Sequence, residues 1–476
     1  MKLTNLLDFA NNIYHLDENV NSVRRNKDVP TKSSTAIKMF LTGMFCGCTS
    51  TNSMIDFVFD SKKLNKKLFK KGVSVPKQHG FDDCIIDTNF DDVKNIHKYI
   101  LSTAQKNKVF KNHTYRGKRV AIIDGVESFE TTKNIEGLHL RKHKDGTIGH
   151  YYKSLGVSYL GDNSNILLDM VPFKENEIED DKDHNTRIKA EGEITVLKRS
   201  VSLLKEFEIE IAVMDAMFEN TPCLNALKDE GIDCIVRIED KRRKIYKEAE
   251  ERFSKIEPTK EYEIVEISTT TKKKYSKEAK KKNTNKIKRE IIVRDVTDAP
   301  IGETVVVSDE VKEHPKYVKN TIVKEKVIKK VKAWADIFIM DGYNYNEGKV
   351  KVVKTIEITK SGKKIKESEM YALTTIIDEK MDIEFIVDLM HKRWNIELKN
   401  FRNLKTNFNL DHLFIGELNA IKIITYLIMI LFNLIELYTR IHTKQYLNID
   451  SIRKMLLDFR TEVQSDPRKI KLLLST

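Results

Sequence analysis

Two short apolar runs, each ending in an aspartate, most constrain how this chain can fold. Val-Ala-Ile-Ile-Asp-Gly occupies 120–125 and Ile-Ala-Val-Met-Asp-Ala occupies 211–216. An unbroken run of four apolar residues reads as a buried strand. Each places its acid, Asp124 or Asp215, at the strand's carboxyl end. Strand patterns at 119–124, 151–160 and 165–173 are followed by a helix at 188–204, a strand at 210–215, a helix at 221–229 and a strand at 233–238. This is an α/β order that makes the first and fourth strands neighbours and brings Asp124 and Asp215 to one edge. An aspartate before Gly or Ala also serves as a helix cap or turn former, so position alone does not settle its role.

The flanking regions have different textures. Residues 1–115 read as helical, with apolar spacing of three and four in 36–41 and 93–101 and breaks at 75–76 and Gly80. Basic pairs at Arg24-Arg25, Lys62-Lys63, Lys66-Lys67 and Lys70-Lys71 fit a helical DNA-binding module, or the solvated face of a Lys-rich domain. An acidic linker is expected at 175–181. Between 246 and 375 the pattern alternates in the manner of β hairpins, at 291–296, 303–307, 337–340 and 371–375. Thr271 to Arg289 carries ten Lys or Arg against one acid, Glu278, and reads as a solvated loop or as a phosphate-gripping one.

Helix returns at 382–407 and 418–441. The expected division is therefore 1–115, a first core segment at 116–245, a β-rich insertion at 246–375, a returning helical core segment at 376–445 and a helical tail at 446–476. The apolar stretch 421–438 contains Lys422, Thr425, Asn433 and Glu436, which favours a buried core helix over a membrane span. Eighty-four Lys plus Arg against 71 Asp plus Glu leave a net charge of +13, a balance suited to a polyanionic partner. Five scattered cysteines give no disulfide framework and are expected to be reduced thiols. No Gly-x4-Gly-Lys-Ser/Thr run exists, which disfavours a nucleotide-driven motor.

The third acid, Glu397, lies in Arg-Trp-Asn-Ile-Glu-Leu at 393–398. On a regular helix Met390, Arg393, Glu397, Phe401 and Leu404 share a face, with Arg393 placed to orient the Glu397 carboxylate or to reach a phosphate. Trp394, Leu398 and Phe401 are expected to pack on the core. Two aspartates from strands and a glutamate from a helix can hold a pair of hard divalent cations, the apparatus of phosphodiester cleavage.

Arg393-Trp394-Asn395-Ile396-Glu397, followed by Phe401-Arg402-Asn403-Leu404-Lys405, resembles insertion-sequence transposases of the DDE type. More narrowly, it resembles the group with a Tyr, Arg, Glu, Lys signature on the helix of the third acid. Asp124-Gly125 and Asp215-Ala216-Met217-Phe218 are similar to that family's first and second aspartate motifs, and the likeness spans roughly 119–432. It implies a ribonuclease-H-like mixed sheet flanked by helices and interrupted by a mostly β insertion, with a helical N-terminal domain. It also implies two Mg²⁺ ions (Mn²⁺ substituting) on Asp124, Asp215 and Glu397, and cleavage of terminal inverted repeats followed by 3′-hydroxyl transfer to target DNA. The partner would be double-stranded DNA engaged by a homodimer, in the bacterial cytoplasm and with no membrane. Arg393, Arg402 and Lys405 would contact the DNA. Trp334 would either stack on a flipped base or pack. The signature's Tyr position is Met390, and its Lys position is Leu404, one residue before Lys405. A plain metal-dependent nuclease and an inactive, transposase-derived DNA-binding protein are the alternatives.

Overall fold

The computed structural model describes residues 32–60, 75–161, 165–174, 177–180, 186–189, 191–275, 282, 284–361, 364–378, 381–442 and 449–465. The four basic pairs at 24–71 and part of the Lys-rich run lie outside the described residues. The chain forms two compact units. One comprises Met1–Phe218, Ala226–Asp233 and His391–Thr476, the other Glu219–Asn225 and Cys234–Met390.

The first unit opens with helices α1 (Ser33–Phe45), α2 (Thr51–Asp60), α3 (Gln78–Ile86) and α4 (Phe90–Lys106). Gly80 lies inside α3 and breaks nothing; its surroundings leave space where a side chain would be. Its sheet is built from β1 (Val120–Thr131), β2 (His139–Lys142), β3 (Ile148–Leu160) and β4 (Asn165–Pro172). The expected acidic linker instead forms a small hairpin, β5 (Glu177–Asp180) against β6 (Thr186–Lys189). Its register sets Glu177 opposite Lys189 and Glu179 opposite Arg187. Helix α5 (Glu193–Glu206) then leads to β7 (Ile211–Met214).

In the sheet, β1 is central. It pairs antiparallel with β3 along one edge and parallel with β7 along the other. The other edge of β3 carries β2 and then β4. Val120 to Ile123 and Ala212 to Met214 are wholly buried, as the apolar runs require. The parallel register ends at Ile123 opposite Met214, so Asp124 and Asp215 are the next residues on adjacent strands. Strand β1 itself continues seven residues past Asp124. Asp124 thus stands where the parallel pairing stops, and not where the strand stops.

The second unit holds α6 (Thr221–Asp229) only in part, followed by β8 (Asp233–Ile238) and α7 (Lys244–Phe253). Six long strands follow: β9 (Lys260–Tyr275), β10 (Thr284–Asp295), β11 (Thr304–His314), β12 (Tyr317–Ile339), β13 (Lys349–Ser361) and β14 (Lys364–Thr374). Their order is β10-β9-β12-β13-β14-β8, with β11 also on β12. Strand β12 is the spine: β9 lines one edge, while β11 and then β13 share the other. The β-rich character expected between 246 and 375 is present. Its hairpins are longer than alternation alone implied, because lysines occupy many strand positions.

Helix α8 (Ile383–Lys392) precedes a turn, a π-helical segment (Ile396–Phe401) and α9 (Arg402–Phe408). The single helix expected at 382–407 is therefore broken. In the first unit, α10 (Leu418–His442) is long and apolar enough to cross a membrane, but most of it is buried in the protein. Helix α11 (Ile449–Ser465) follows.

Helix α10 closes the open edge of β4 with one side chain. Asn433 accepts from the Leu167 amide at 2.9 Å and donates to the Leu167 carbonyl at 2.6 Å, imitating a neighbouring strand. Its amide also meets His97 Nε2 at 2.9 Å; burial holds that imidazole neutral, with its pKa lowered to about 4, so the ring nitrogen accepts. Replacing Asn433 by Leu leaves a buried N–H and C=O unpaired. The expected cost is ~2–6 kcal/mol, from about 1–3 kcal/mol for each of the two unsatisfied groups. Urea denaturation checks it, and an unchanged midpoint contradicts the edge-capping role.

Glu436, three residues on and buried, has its carboxyl pKa raised to about 8 by burial, against the opposing pull of Lys399 and Arg440. Its ordinary value is 4.5, so between 4.5 and 8 the folded state holds a proton that the unfolded state has lost. This group's contribution is fully present below pH 4.5 and is lost as pH rises to about 8. Glu436→Gln should flatten the fall in stability over that window, removing up to ~1.4 kcal/mol per pH unit. Unfolding free energies measured across the range test this, and parallel curves for the two proteins would contradict it.

Candidate active site

Asp124, Asp215 and Glu397 converge on one nitrogen. Arg393 Nη1 lies 3.1 Å from Glu397 Oε1, 3.4 Å from Asp124 Oδ2 and 3.7 Å from Asp215 Oδ1. The guanidinium is buried, at 4% exposure for the residue. Four residues that stand up to 273 positions apart in the chain thus meet at a point. The remaining Asp124 oxygen, Oδ1, accepts from the Gly125 amide at 2.8 Å, while Asp215 Oδ1 is buried with no hydrogen bond.

Three carboxylates around one cation leave the centre short of positive charge. The Asp124 carboxyl responds: its pKa is raised from 3.8 to about 7, first by burial and then by Glu397 and Asp215, with Arg393 pulling the other way. The other acids lining the cavity have their own cations. Glu127 pairs with Arg141 at 2.6 Å, Glu193 with Lys153 at 2.6 Å, and Asp411 with Lys405 at 3.0 Å. The cavity is open and encloses about 890 Å³. The electrostatic deficit therefore falls on the triad alone.

The helix carrying Glu397 explains why sequence spacing misplaced its neighbours. A π turn bonds i to i+5 and takes in one residue more than an α turn. The extra residue brings Lys405 to the cavity with Glu397, Phe401, Arg402 and Thr406, while Leu404 is fully buried. Met390, at the signature's Tyr position, is buried. The same break overturns the expected packing side: Phe401 is buried, but Trp394 and Leu398 are 42% and 55% exposed.

Arg402 is exposed at the cavity's rim. Trp334 belongs to the second unit, is 8% exposed, and donates from its indole nitrogen to the Ile256 carbonyl at 3.0 Å. Lys354 sits over its ring at 5.4 Å. These are the contacts of a packing tryptophan, and stacking on a base would require the ring to leave them. Spacing gave no hint of Lys153 or Glu193. The helix was expected to begin at 188, which made Glu193 an interior position, whereas it lies in the first turn of α5 beside Gly125. Glu193's position is legible only once β1 and α5 are placed together.

The π segment is seated on β3. Gly156 pairs opposite Asp124, and a Cβ there would come within 2.6 Å of the Phe401 ring. Asn400 donates to Ser158 Oγ at 2.7 Å two residues along the same strand. Gly156→Ala should therefore push Phe401, and with it the turn bearing Glu397, off the sheet, at a cost of about 1–3 kcal/mol. Adding Phe401→Leu should recover part of that loss. Thermal unfolding of both single variants and the double variant checks this. Strict additivity would show that the two residues do not press on each other.

The three acids surround Arg393, and among the described residues no three His, Cys, Asp or Glu side chains are set for a metal. Their chemistry nevertheless suits a hard divalent cation, with three carboxylates, a buried Asp215 oxygen that no hydrogen bond reaches and a deficit of positive charge. No curated protein matches the chain. The family model described as transposase DDE domain matches residues 189–434, more than half of the chain, including Asp215, Arg393 and Glu397. The chain belongs to the transposase DDE-domain family.

Proposed function

We propose that this chain cuts DNA at the ends of its own mobile element and transfers the freed 3′-hydroxyl to target DNA. The observation that carries this reading is the meeting of Asp124, Asp215 and Glu397 at Arg393 Nη1, within 3.1–3.7 Å, in an open cavity. The strand order β4-β3-β1-β7, antiparallel and then parallel, supports a ribonuclease-H-like core for the first unit. Asp124, Asp215 and Glu397 would hold two Mg²⁺ or Mn²⁺ ions, which when bound activate the attacking oxygen and stabilise the leaving one.

The chain's own residues set the rest. Arg393 keeps three mutually repelling carboxylates together, and its guanidinium becomes available to a DNA phosphate when their charge is met by cations. Lys405 and Arg402, on the turn after Glu397, supply positive charge along the same wall of the cavity. Lys405 would exchange Asp411 for the DNA backbone. The substrates would be terminal inverted repeats and target DNA, held by a homodimer.

The test is a cleavage assay on DNA carrying the element's ends. Wild-type protein should nick these ends only with Mg²⁺ or Mn²⁺ present. Asp215→Asn should lower the rate by at least ~10³-fold while leaving DNA affinity within about threefold, as expected when a group acts only in the chemical step. Binding without any cleavage would identify an inactive DNA-binding descendant. Cleavage without strand-transfer products on a target plasmid would identify a plain nuclease.

A further inference from the structure

Strands β9, β10 and β11 and the first half of β12 form a four-stranded end of the larger sheet, and among the described residues β10 and β11 are exposed along almost their whole lengths. In an antiparallel sheet, directly opposed residues point to the same side, and positions two apart along a strand share that side. The registers therefore define the face. His314, Tyr317 and Tyr275 stand in one row across β11, β12 and β9. Two residues along each strand, and so on the same face, Lys312, Lys319 and Lys273 form the next row. The rings confirm the shared side: His314 stacks on Tyr317 at 4.6 Å, Tyr275 lies 5.7 Å from Tyr317, and Lys273 Nζ sits 5.0 Å above the Tyr317 ring.

Three lysines directly abreast repel one another and destabilise the sheet locally. None of the three has an ion-pair partner among the described residues. Elsewhere in the same sheet charge is neutralised with care: Arg294 donates to Glu263 at 2.6 Å and to Glu325 at 2.7 Å. An uncompensated row at one end of a sheet that elsewhere pairs its charges is what a polyanion-binding face requires. With strands ~4.8 Å apart, three lysines span about 10 Å. That matches roughly the axial rise of three nucleotides of one DNA strand. The adjoining tyrosine hydroxyls are phosphate donors of the kind that position DNA without reading its sequence.

We propose that this Lys312–Lys319–Lys273 row, flanked by the His314–Tyr317–Tyr275 row, grips the phosphate backbone of double-stranded DNA. The proposal rests on the reading of the chain as a DNA-acting enzyme, and adds a binding face independent of the carboxylate site. The opposite face is the control. It also carries lysines, among them Lys272, Lys274 and Lys324, but these are interspersed with exposed Ile287, Ile291 and Val311.

Fluorescence anisotropy of the full chain with a labelled mixed-sequence duplex, across about 50–200 mM salt, decides the matter. Replacing Lys273, Lys312 and Lys319 together by Gln should weaken binding by about tenfold or more. It should also reduce the slope of log affinity against log salt by about 2–3, close to 0.9 per lost phosphate contact. Replacing Lys272, Lys274 and Lys324 by Gln removes the same charge from the other side and should change affinity by less than about threefold. Equal losses from the two triple variants, or no loss from the first, overturn the proposed face while leaving the cleavage reading intact. A wild-type chain that binds no duplex overturns both. Circular dichroism of each variant separates a binding defect from an unfolded sheet.

Discussion

Three carboxylates held by a single guanidinium are the constraint around which the first unit is arranged. Bringing Asp124, Asp215 and Glu397 together costs mutual repulsion and desolvation, and one buried Arg393 cannot offset three negative charges. Part of the imbalance is met by the proton that Asp124 retains to about pH 7. A core designed only for stability would neutralise these acids pairwise, as the nearby Glu127, Glu193 and Asp411 are neutralised. The shortage of charge is localised at these three acids. Strain of this kind, tolerated at one point within an otherwise satisfied structure, is characteristic of functional sites.

The scaffold that tolerates it is built from apolar registry. Parallel pairing of β1 with β7 fixes Asp124 beside Asp215 with no side-chain freedom beyond the last torsions. The third acid comes from a distant segment and needs a separate lock. Gly156 supplies it by leaving space for Phe401, while Asn400 ties the same turn to Ser158. Helix α10 backs the sheet and closes its edge through Asn433, and Tyr426, bonded to Asp169, ties the same helix to β4. The polar residues that mark this helix as a core element, Asn433 and Glu436 among them, are the ones that anchor it or titrate within it.

Much of this arrangement is legible in the sequence, and the exceptions have physical causes. The runs before Asp124 and Asp215 are apolar for strands buried on both faces, so their type and adjacency follow from pattern. The Arg393–Glu397 spacing correctly links the two side chains across one turn. The π segment escapes, because a hydrogen-bond shift from i+4 to i+5 leaves no mark in residue type. The break in the helix accounts for the misassigned face of Trp394, in the turn, and of Leu398, in the π segment, and Lys405 beyond it lines the cavity. Lys153 and Glu193 escape for another reason: an ion pair formed between a strand and a helix start 40 residues apart has no local signature.

The second unit shows the opposite relation between pattern and burial. Strands such as β10 and β11 have no buried face to specify their register, and such strands are prone to slip. Here register is specified by polar pairing instead. Arg294 reaches Glu263 on the neighbouring β9 and, across that strand, Glu325 on β12, while Lys329 to Glu357 and Lys354 to Glu369 link adjacent strands of the unit. Buried Glu263 also accepts from Thr297, tying the loop after β10 to the sheet. A slip of one residue would move every one of these charges to the wrong side of the sheet. Ionic cross-strand pairs thus do for this sheet what apolar alternation does for a half-buried one.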